Sequence, residues 1–157
     1  MDRELNFMLE AISLSRKGIV DNQGGPFGCV IVRGDEIVGK GWNQVTSSND
    51  PTAHAEIVAI RDACHRLGTF QLDDCEVFTS CEPCPMCMGA IYWARPKKVY
   101  YGNTREDAAA IGFDDSLIYK ELTVSMQERQ IEMVCLGGEH AIRVFDEWIG
   151  KPDKRSY

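Results

Sequence analysis

A strand, a helix and a second strand follow one another between residues 76 and 101, and this succession constrains the fold most. Glu76 to Ser80 is typical of a buried strand. Pro83 and Pro85 precede a helical pattern that Pro96 ends, and Lys98 to Tyr101 is typical of another strand. Two strands joined through a helix lie parallel in one sheet, which predicts an α/β fold.

The residues before this unit predict a helix, a hairpin and a second helix. Residues 3–20 place apolar side chains at helical spacing, and we expect this face to pack on the core: Leu5, Met8, Leu9, Ile12 and Ile19. Phe27 to Val32 and Ile37 to Trp42 flank a turn and predict a hairpin. Asp50 and Pro51 predict the start of a helix that ends at Gly68, with one apolar side formed by Ile57, Ile60, Cys64 and Leu67.

The residues after this unit complete the predicted architecture. Arg105 to Ile111 predicts a short helix, Ile131 to Leu136 a fifth strand, and Glu139 to Ile149 a closing amphipathic helix. We therefore expect a single domain over residues 1–157, built as a three-layer α/β/α sandwich around a mixed five-stranded sheet.

Length, charge and cysteine content narrow the class of protein. A chain of 157 residues with 44% hydrophobic residues can build one sizeable core. Its formal charge of −7 disfavours a nucleic-acid partner, because phosphate backbones are bound by clustered Lys and Arg, and favours a small substrate. We find no apolar run of bilayer length and no apolar signal core, so we expect a cytoplasmic protein. Seven cysteines, an odd number, fit reduced thiols better than a disulfide framework.

Two short motifs supply the residue types of a metal site. His54-Ala55-Glu56 lies at the start of one predicted helix, and Pro83-Cys84-Pro85-Met86-Cys87 at the start of the next. Cys84 and Cys87 are three residues apart, so both sulfurs face the same way on a first helical turn, where thiolates are favoured. One neutral imidazole and two thiolates suit zinc, which predicts His54, Cys84 and Cys87 as ligands of one Zn²⁺ per chain.

Three protein ligands leave a tetrahedral zinc ion one open position, which is typical of a catalytic site. Water in that position would have a pKa near ~7 and give a hydroxide nucleophile. Glu56 is placed to take a proton from this water and to deliver protons to a ring nitrogen and then to a leaving amine. The arrangement therefore predicts hydrolysis by a metal-bound hydroxide, with Glu56 moving the protons.

Other interpretations of these residues stay open. Cys84 and Cys87 alone could form a thioredoxin-like redox pair. Cys81 could join the three ligands in a closed structural zinc site, which would make the chain a zinc-stabilised binding module and leave Glu56 without a role. The remaining cysteines are expected to be small buried apolar side chains: Cys29, Cys64, Cys75 and Cys135.

The pairing of His-x-Glu with Pro-Cys-x-x-Cys is the signature of zinc deaminases. The chain resembles the cytidine deaminase superfamily and, within it, the bacterial-type guanine deaminases. The resemblance covers nearly the whole chain and includes Gly24 to Gly28, Asn43, Ser48 to Glu56, Thr79 to Cys87 and Gly89 to Pro96. The stretch Gly112-Phe113-Asp114-Asp115-Ser116 and the terminal Tyr157 are the parts that resemble guanine deaminases.

This resemblance implies a homodimer that exchanges C-terminal segments, at about residues 140–157, so that each tail closes the partner's pocket. It implies that Asn43 hydrogen-bonds the base, that Phe27 and Trp93 pack on its ring, and that the backbone near Ala55 and Cys84 steadies the bound intermediate. Asp115 and Tyr157 would contact the purine or relay protons to it.

The implied reaction is the hydrolysis of guanine to xanthine and ammonia. A tRNA adenosine deaminase shares the zinc motif, but the acidic charge and the Phe113-Asp114-Asp115 stretch disfavour it. Cytosine, cytidine or a pterin-like heterocycle remains an alternative substrate.

Overall fold

In the computed structural model, which describes residues 2–157, one mixed sheet of four strands organises the chain. The strands are β1 (Gly28–Arg33), β2 (Glu36–Trp42), β3 (Cys75–Cys81) and β4 (Lys98–Asn103), in the order β2-β1-β3-β4. β1 runs antiparallel to β2 and to β3, whereas β3 and β4 are parallel. The predicted parallel crossover is therefore confirmed.

Seven α-helices and one short 3₁₀ helix lie within residues 2–157. The α-helices are α1 (Arg3–Val20), α2 (Val45–Ser48), α3 (Ala55–Leu67), α4 (Pro85–Ala94), α5 (Arg105–Ala110), α6 (Ser116–Thr123) and α7 (Gly138–Gly150), and the 3₁₀ helix is Met126–Glu128. No helix in this described part of the chain combines the length and the apolar character needed to cross a bilayer. The chain forms two compact units, one ending at Asp115 and one from Ser116 to Tyr157.

The first unit has three layers, as predicted. Helix α1 covers one face of the sheet, where Phe7 and Met8 pack against Val30, Val32 and Phe78. Helices α3 and α4 cover the other face, where their alanines pack against Cys29, Ile31, Val77 and Leu72. Because strand side chains alternate between faces, β1 and β3 are buried on both sides.

Two glycines of β2 let α3 approach the sheet closely. A Cβ atom built on Gly41 would lie 2.2 Å from the carbonyl oxygen of Ala55, and one on Gly39 would lie 2.6 Å from that of Ala59. Both distances are shorter than real Cβ contacts, so the backbone of the strand faces the backbone of the helix. Ala55 and Ala59 are fully buried in this contact, and Ala55 begins the helix that carries one of the sequence motifs.

The second unit consists of α6, the 3₁₀ helix and α7. Ser125 and Glu128 form a capping box at the 3₁₀ helix. Glu121 accepts a hydrogen bond from the guanidinium Nε of Arg129 at its carbonyl oxygen and one from the amide of Gln130 at its carboxylate, at 3.1 and 2.8 Å. These bonds join the end of α6 to the chain that follows it.

The predicted fifth strand is wrong. The sheet has four strands, and residues 131–137 are irregular, with Ile131, Val134 and Leu136 at least 72% exposed. An apolar run becomes a strand only when a neighbouring strand supplies hydrogen bonds, and sequence periodicity does not show whether one is present. Cys135, which lies in this segment, is exposed and not buried as expected.

Two further expectations about helices need correction. The second long helix begins at Ala55 and not at Pro51, because the Asp50 carboxylate accepts hydrogen bonds from the amide and hydroxyl of Thr52 in a turn that precedes the helix. Helix α1 contacts the sheet through Phe7, Met8, Ala11 and Leu14. Most of the predicted face lies beside this contact and is 38–48% exposed: Leu5, Leu9, Ile12 and Ile19.

Candidate active site

The three predicted ligands converge in the first unit. The Nδ1 atom of His54 lies 3.5 Å from the Sγ of Cys84 and 3.6 Å from the Sγ of Cys87. All three ligand atoms lie within 4.8 Å of one another, and among residues 2–157 this is the only His, Cys and carboxylate group of three or more with such spacing. These residues could therefore hold one metal ion.

Two helix starts bring the ligands together. His54 is the N-cap residue of α3, and its side chain does not cap the helix because the imidazole is turned towards the cysteines. Cys84 is the N-cap of α4, and its sulfur accepts a hydrogen bond from the amide of Cys87 at 3.5 Å. Pro85 follows at the first helical position, where a missing N–H has no cost. Both motifs therefore use extended cap residues, which direct their side chains away from the helical surface.

The donor set fits zinc. A tetrahedral ion about 2.3 Å from sulfur and about 2.0 Å from nitrogen places these atoms roughly 3.5 Å apart. The observed nitrogen to sulfur distances are 3.5 and 3.6 Å. Imidazole and thiolates are also the ligand types that zinc prefers in proteins.

The protonation of the cysteines supports the same conclusion. A hydrogen bond from Cys87, together with one from His54, lowers the pKa of the Cys84 thiol to about 4. The hydrogen bond with Cys84 and burial raise the pKa of the Cys87 thiol well above its ordinary value. The bond with Cys84 also raises the pKa of His54. These shifts favour Cys84 as the thiolate of the pair, and a bound cation would displace the proton of the Cys87 thiol.

Glu56 is a buried carboxyl group next to this cluster. It is 5% exposed, and its Oε1 accepts a hydrogen bond of 2.6 Å from the hydroxyl of Thr79 on β3. Burial raises the pKa of Glu56, and the bonds from Thr79 and from its own backbone act in the opposite direction. A carboxyl group with a raised pKa is a stronger base when ionised, which suits a group that takes a proton from water.

Cys81 does not complete a four-ligand site. Its thiol donates to the carbonyl oxygen of Thr104 at 3.6 Å, and its sulfur is not part of the group formed by His54, Cys84 and Cys87. Burial raises the pKa of the Cys81 thiol to about 11, which keeps it protonated. The geometry therefore leaves one position of a tetrahedral ion without a protein ligand.

Asn43 and Phe27 lie together at the end of the hairpin. The carboxamide oxygen of Asn43 accepts hydrogen bonds from the amides of Gly25 and Val45, at 3.3 and 3.1 Å. Phe27 makes an edge-to-face contact with Phe113, with ring centroids 5.0 Å apart. This pair forms an aromatic surface that a flat ring can contact.

The remaining predicted residues lie in different parts of the chain. Ala55 is the first residue of α3, and Trp93 lies near the end of α4 with 63% of its surface exposed. Burial and the negative charge of Cys84 raise the pKa of Asp115. Tyr157 is 72% exposed and belongs to the second unit.

Sequence reasoning missed the roles of Thr79 and Phe113. Thr79 is fully buried on the strand face that also carries Val77 and Cys75, both in the core below α3. A polar residue at an inward position of a strand is the signal that could have identified a partner for a buried carboxylate. Phe113 belongs to the Gly112 to Ser116 stretch, and no local pattern predicts its contact with Phe27.

Comparison with known proteins agrees with this geometry. Residues 1–103 match the family model of the cytidine and deoxycytidylate deaminase zinc-binding region. A guanine deaminase from Bacillus subtilis is 51% identical over 151 residues, which cover 96% of this chain and 97% of the relative. The crystal structure of a guanine deaminase from Bacillus subtilis superposes with a TM-score of 0.96 at 50% identity, over 100% of this chain and 99% of that one. A tRNA-specific adenosine deaminase from Streptococcus pyogenes is 36% identical over 85% of this chain and 80% of its own length.

Proposed function

We propose that this chain, which belongs to the cytidine and deoxycytidylate deaminase family, hydrolyses guanine to xanthine and ammonia. The observation that carries the proposal is the buried Glu56 beside the cluster of His54, Cys84 and Cys87. The substrate follows from the similarity to a guanine deaminase over almost the full length of both chains. In the reaction, water adds to the ring carbon that bears the amino group, and the C–N bond to that group breaks.

His54, Cys84 and Cys87 would hold the zinc ion. When bound, zinc lowers the pKa of a coordinated water towards about 7 and so provides a nucleophile at neutral pH. The three side chains supply two negative charges to the dication, which leaves the site close to neutral. Both cysteines must be unoxidised to bind the ion, which a reducing compartment favours, and we propose the cytoplasm.

Glu56 would move the protons of the reaction. It would accept one from the attacking water and deliver it to the ring nitrogen next to the reacting carbon. Glu56 would then carry the second proton of that water, from the hydroxyl now on the ring carbon, to the amino group, which leaves as neutral ammonia. Burial favours this exchange because it brings the two protonation states of the carboxyl group closer in free energy. Thr79 would hold the carboxylate in the orientation that each transfer needs.

The base would be held by groups around the hairpin and the start of α3. Asn43 would donate a hydrogen bond from its amide nitrogen, since its oxygen is engaged by backbone amides. Phe27 and Trp93 would contact the ring, and the backbone amides near Ala55 and Cys84 would stabilise negative charge that develops on the substrate. Asp115 would accept a hydrogen bond from a ring or exocyclic N–H group of guanine.

The C-terminal segment would complete the site in a homodimer. Many large apolar side chains of residues 116–157 are exposed in the single chain, which favours burial against a second copy: they include Leu122, Val144, Phe145 and Ile149. We propose that residues of about 140–157 are exchanged between subunits and that Tyr157 reaches the partner's pocket to contact the purine.

A substrate panel tests the proposed reaction. Purified zinc-loaded protein is offered guanine, adenine, cytosine, cytidine and a tRNA anticodon stem-loop, and ammonia release is measured for each. We expect turnover of guanine with xanthine as the product. Turnover of the stem-loop without turnover of any free base would instead assign a tRNA adenosine deaminase, the function of the more distant Streptococcus pyogenes relative.

A further inference from the structure

The side chain of Asn43 is fixed in one orientation. Both groups that bond its Oδ1 atom, the amides of Gly25 and Val45, are donors, so the bonded atom must be the carboxamide oxygen. Asn43 is 5% exposed, and no buried side-chain nitrogen or oxygen within residues 2–157 lacks a partner. No hydrogen bond joins the amide nitrogen to another group within residues 2–157, so it is not among these fully buried atoms and is accessible to a ligand. It can donate to a lone pair of a heterocycle.

Gly24 contacts this carboxamide directly. A Cβ atom on Gly24 would lie 2.1 Å from Oδ1 of Asn43 and 2.6 Å from its carbonyl oxygen. The backbone at Gly24 therefore passes directly over Asn43, with no space for a side chain. Since the carbonyl oxygen belongs to the backbone of Asn43, the collision cannot be relieved by a rotamer change of that residue alone. Any larger residue at position 24 must move the loop or the carboxamide.

Gln23 ties the same loop to three other segments. Its amide donates to the carbonyl oxygen of Gly18 at 2.9 Å, and its own carbonyl oxygen accepts from the amide of Ser47 at 3.1 Å and the hydroxyl of Thr46 at 3.0 Å. Its side-chain Oε1 accepts from the indole nitrogen of Trp42 at 2.5 Å. The loop is thus bonded to the end of α1, to α2 and to the last residue of β2.

Trp42 is itself held from the other side. The ammonium group of Lys17 lies 4.4 Å from the centre of its ring, which is a cation–π distance. Asn43 follows Trp42 directly, and its amide donates to the carbonyl oxygen of Phe27 at 3.0 Å. The ring of Trp42 is therefore held in place. It positions the loop through Gln23 and positions Asn43 as the next residue in the chain.

We propose that Gln23, Gly24 and Trp42 are positioning residues that aim the amide nitrogen of Asn43 at an acceptor atom of the substrate ring. None of the three needs to touch the base. They keep the carboxamide oxygen of Asn43 hydrogen-bonded and hold the loop in a fixed position relative to Asn43. The two N–H groups of this carboxamide therefore point in one fixed direction. This inference rests on the proposed function, because it assigns the binding geometry of that same site.

Paired substitutions test the proposal. Gly24→Ala introduces the collision with Asn43, and Gly89→Ala is its control, since a Cβ on Gly89 of α4 meets nothing within 4 Å. Gln23→Leu removes the acceptor for Trp42, whereas Gln23→Glu keeps one. For each variant, kcat, KM for guanine, the inhibition constant of xanthine and zinc per chain are measured.

We expect Gly24→Ala and Gln23→Leu to raise KM and the xanthine constant about tenfold or more, with zinc content retained and kcat changed much less. Gln23→Glu and Gly89→Ala should stay near the parent values. A purely structural role would lower the active fraction and thus kcat per total protein, with KM unchanged, and this result would overturn the proposal. If the parent protein shows no turnover of guanine, the proposed function itself fails, and the same comparison is then made with the substrate identified by the panel.

Discussion

The hydroxyl of Thr79 donates a 2.6 Å hydrogen bond to the carboxylate of Glu56, and both residues are buried. This bond lowers the pKa of Glu56 against the larger effect of burial, which raises it. Thr79→Val keeps the shape of the side chain and removes the donor, so the pKa of Glu56 should rise further. A hydrogen bond to a charged group is worth roughly 1.5–3 kcal/mol, so the ionised form of Glu56 loses this stabilisation in the variant.

The consequence appears in the pH dependence of catalysis. Glu56 must be ionised to accept a proton, so a higher pKa moves the acid limb of the kcat/KM profile to higher pH. Thr79→Ser retains the hydroxyl and should keep the parent profile. An acid limb that does not move in Thr79→Val would show that this bond does not tune the catalytic carboxylate.

Glu56→Gln should separate zinc binding from proton transfer. The substitution keeps the volume and an acceptor for Thr79 but cannot carry a proton between water and amine. We expect about one zinc per chain, as in the parent, and turnover lowered at least ~100-fold. Elemental analysis and an ammonia assay on the same preparation make the comparison. Turnover close to that of the parent would remove Glu56 from the mechanism.

Cys81→Ser and Cys84→Ser should differ in metal content. Cys84 belongs to the group of three residues that could hold the ion, whereas the Cys81 thiol donates to the carbonyl oxygen of Thr104. Cys81→Ser is therefore expected to retain zinc, and Cys84→Ser to lose most of it when dialysed against a chelator. Loss of zinc from both variants would indicate a closed site with four protein ligands.

Gly41→Ala should weaken zinc binding from a distance. The added methyl group would lie 2.2 Å from the carbonyl oxygen of Ala55, so the first turn of α3, with His54, must shift away from the sheet. Displacing the support of a metal ligand typically costs about 10–100-fold in affinity. Competition with a chromophoric chelator measures this change, with Gly89→Ala as the control. Equal zinc affinity in the two variants would contradict the idea that this contact sets the ligand position.

Mixed dimers can test whether Tyr157 acts on the partner's site. A variant that lacks Tyr157 keeps Glu56, and Glu56→Gln keeps the tail, so each homodimer should be nearly inactive. Co-expression with two affinity tags yields the heterodimer, in which an exchanged tail would meet an intact Glu56. We expect activity approaching half that of the parent. A heterodimer as inactive as the two variant homodimers would mean that each C-terminal tail completes the site of its own chain or of neither chain.

Patterns within a short stretch of sequence correctly predicted those features of the fold that depend only on residues close together in the chain. The cysteine pair and the histidine were predicted because each lies at a helix start, where spacing alone determines direction. The strand at Ile131 to Leu136 was wrong, since strand formation depends on a distant hydrogen-bonding neighbour. The same limit explains why the contacts of Thr79 with Glu56 and of Gly41 with Ala55 were missed. Each joins residues that no periodicity relates.

The bare backbone of β2 at Gly39 and Gly41 also bears on protein engineering. Ligand positions in a metal centre must be correct to about 0.2 Å, which is far less than the displacement that one methyl group would force here. Grafting the two short motifs onto another α/β scaffold would therefore fail wherever the neighbouring strand carries ordinary side chains at these positions. A successful graft would need the two motifs together with a strand that has glycine at the positions facing the helix. Only such a strand lets the helix pack closely enough for the imidazole to reach the sulfurs.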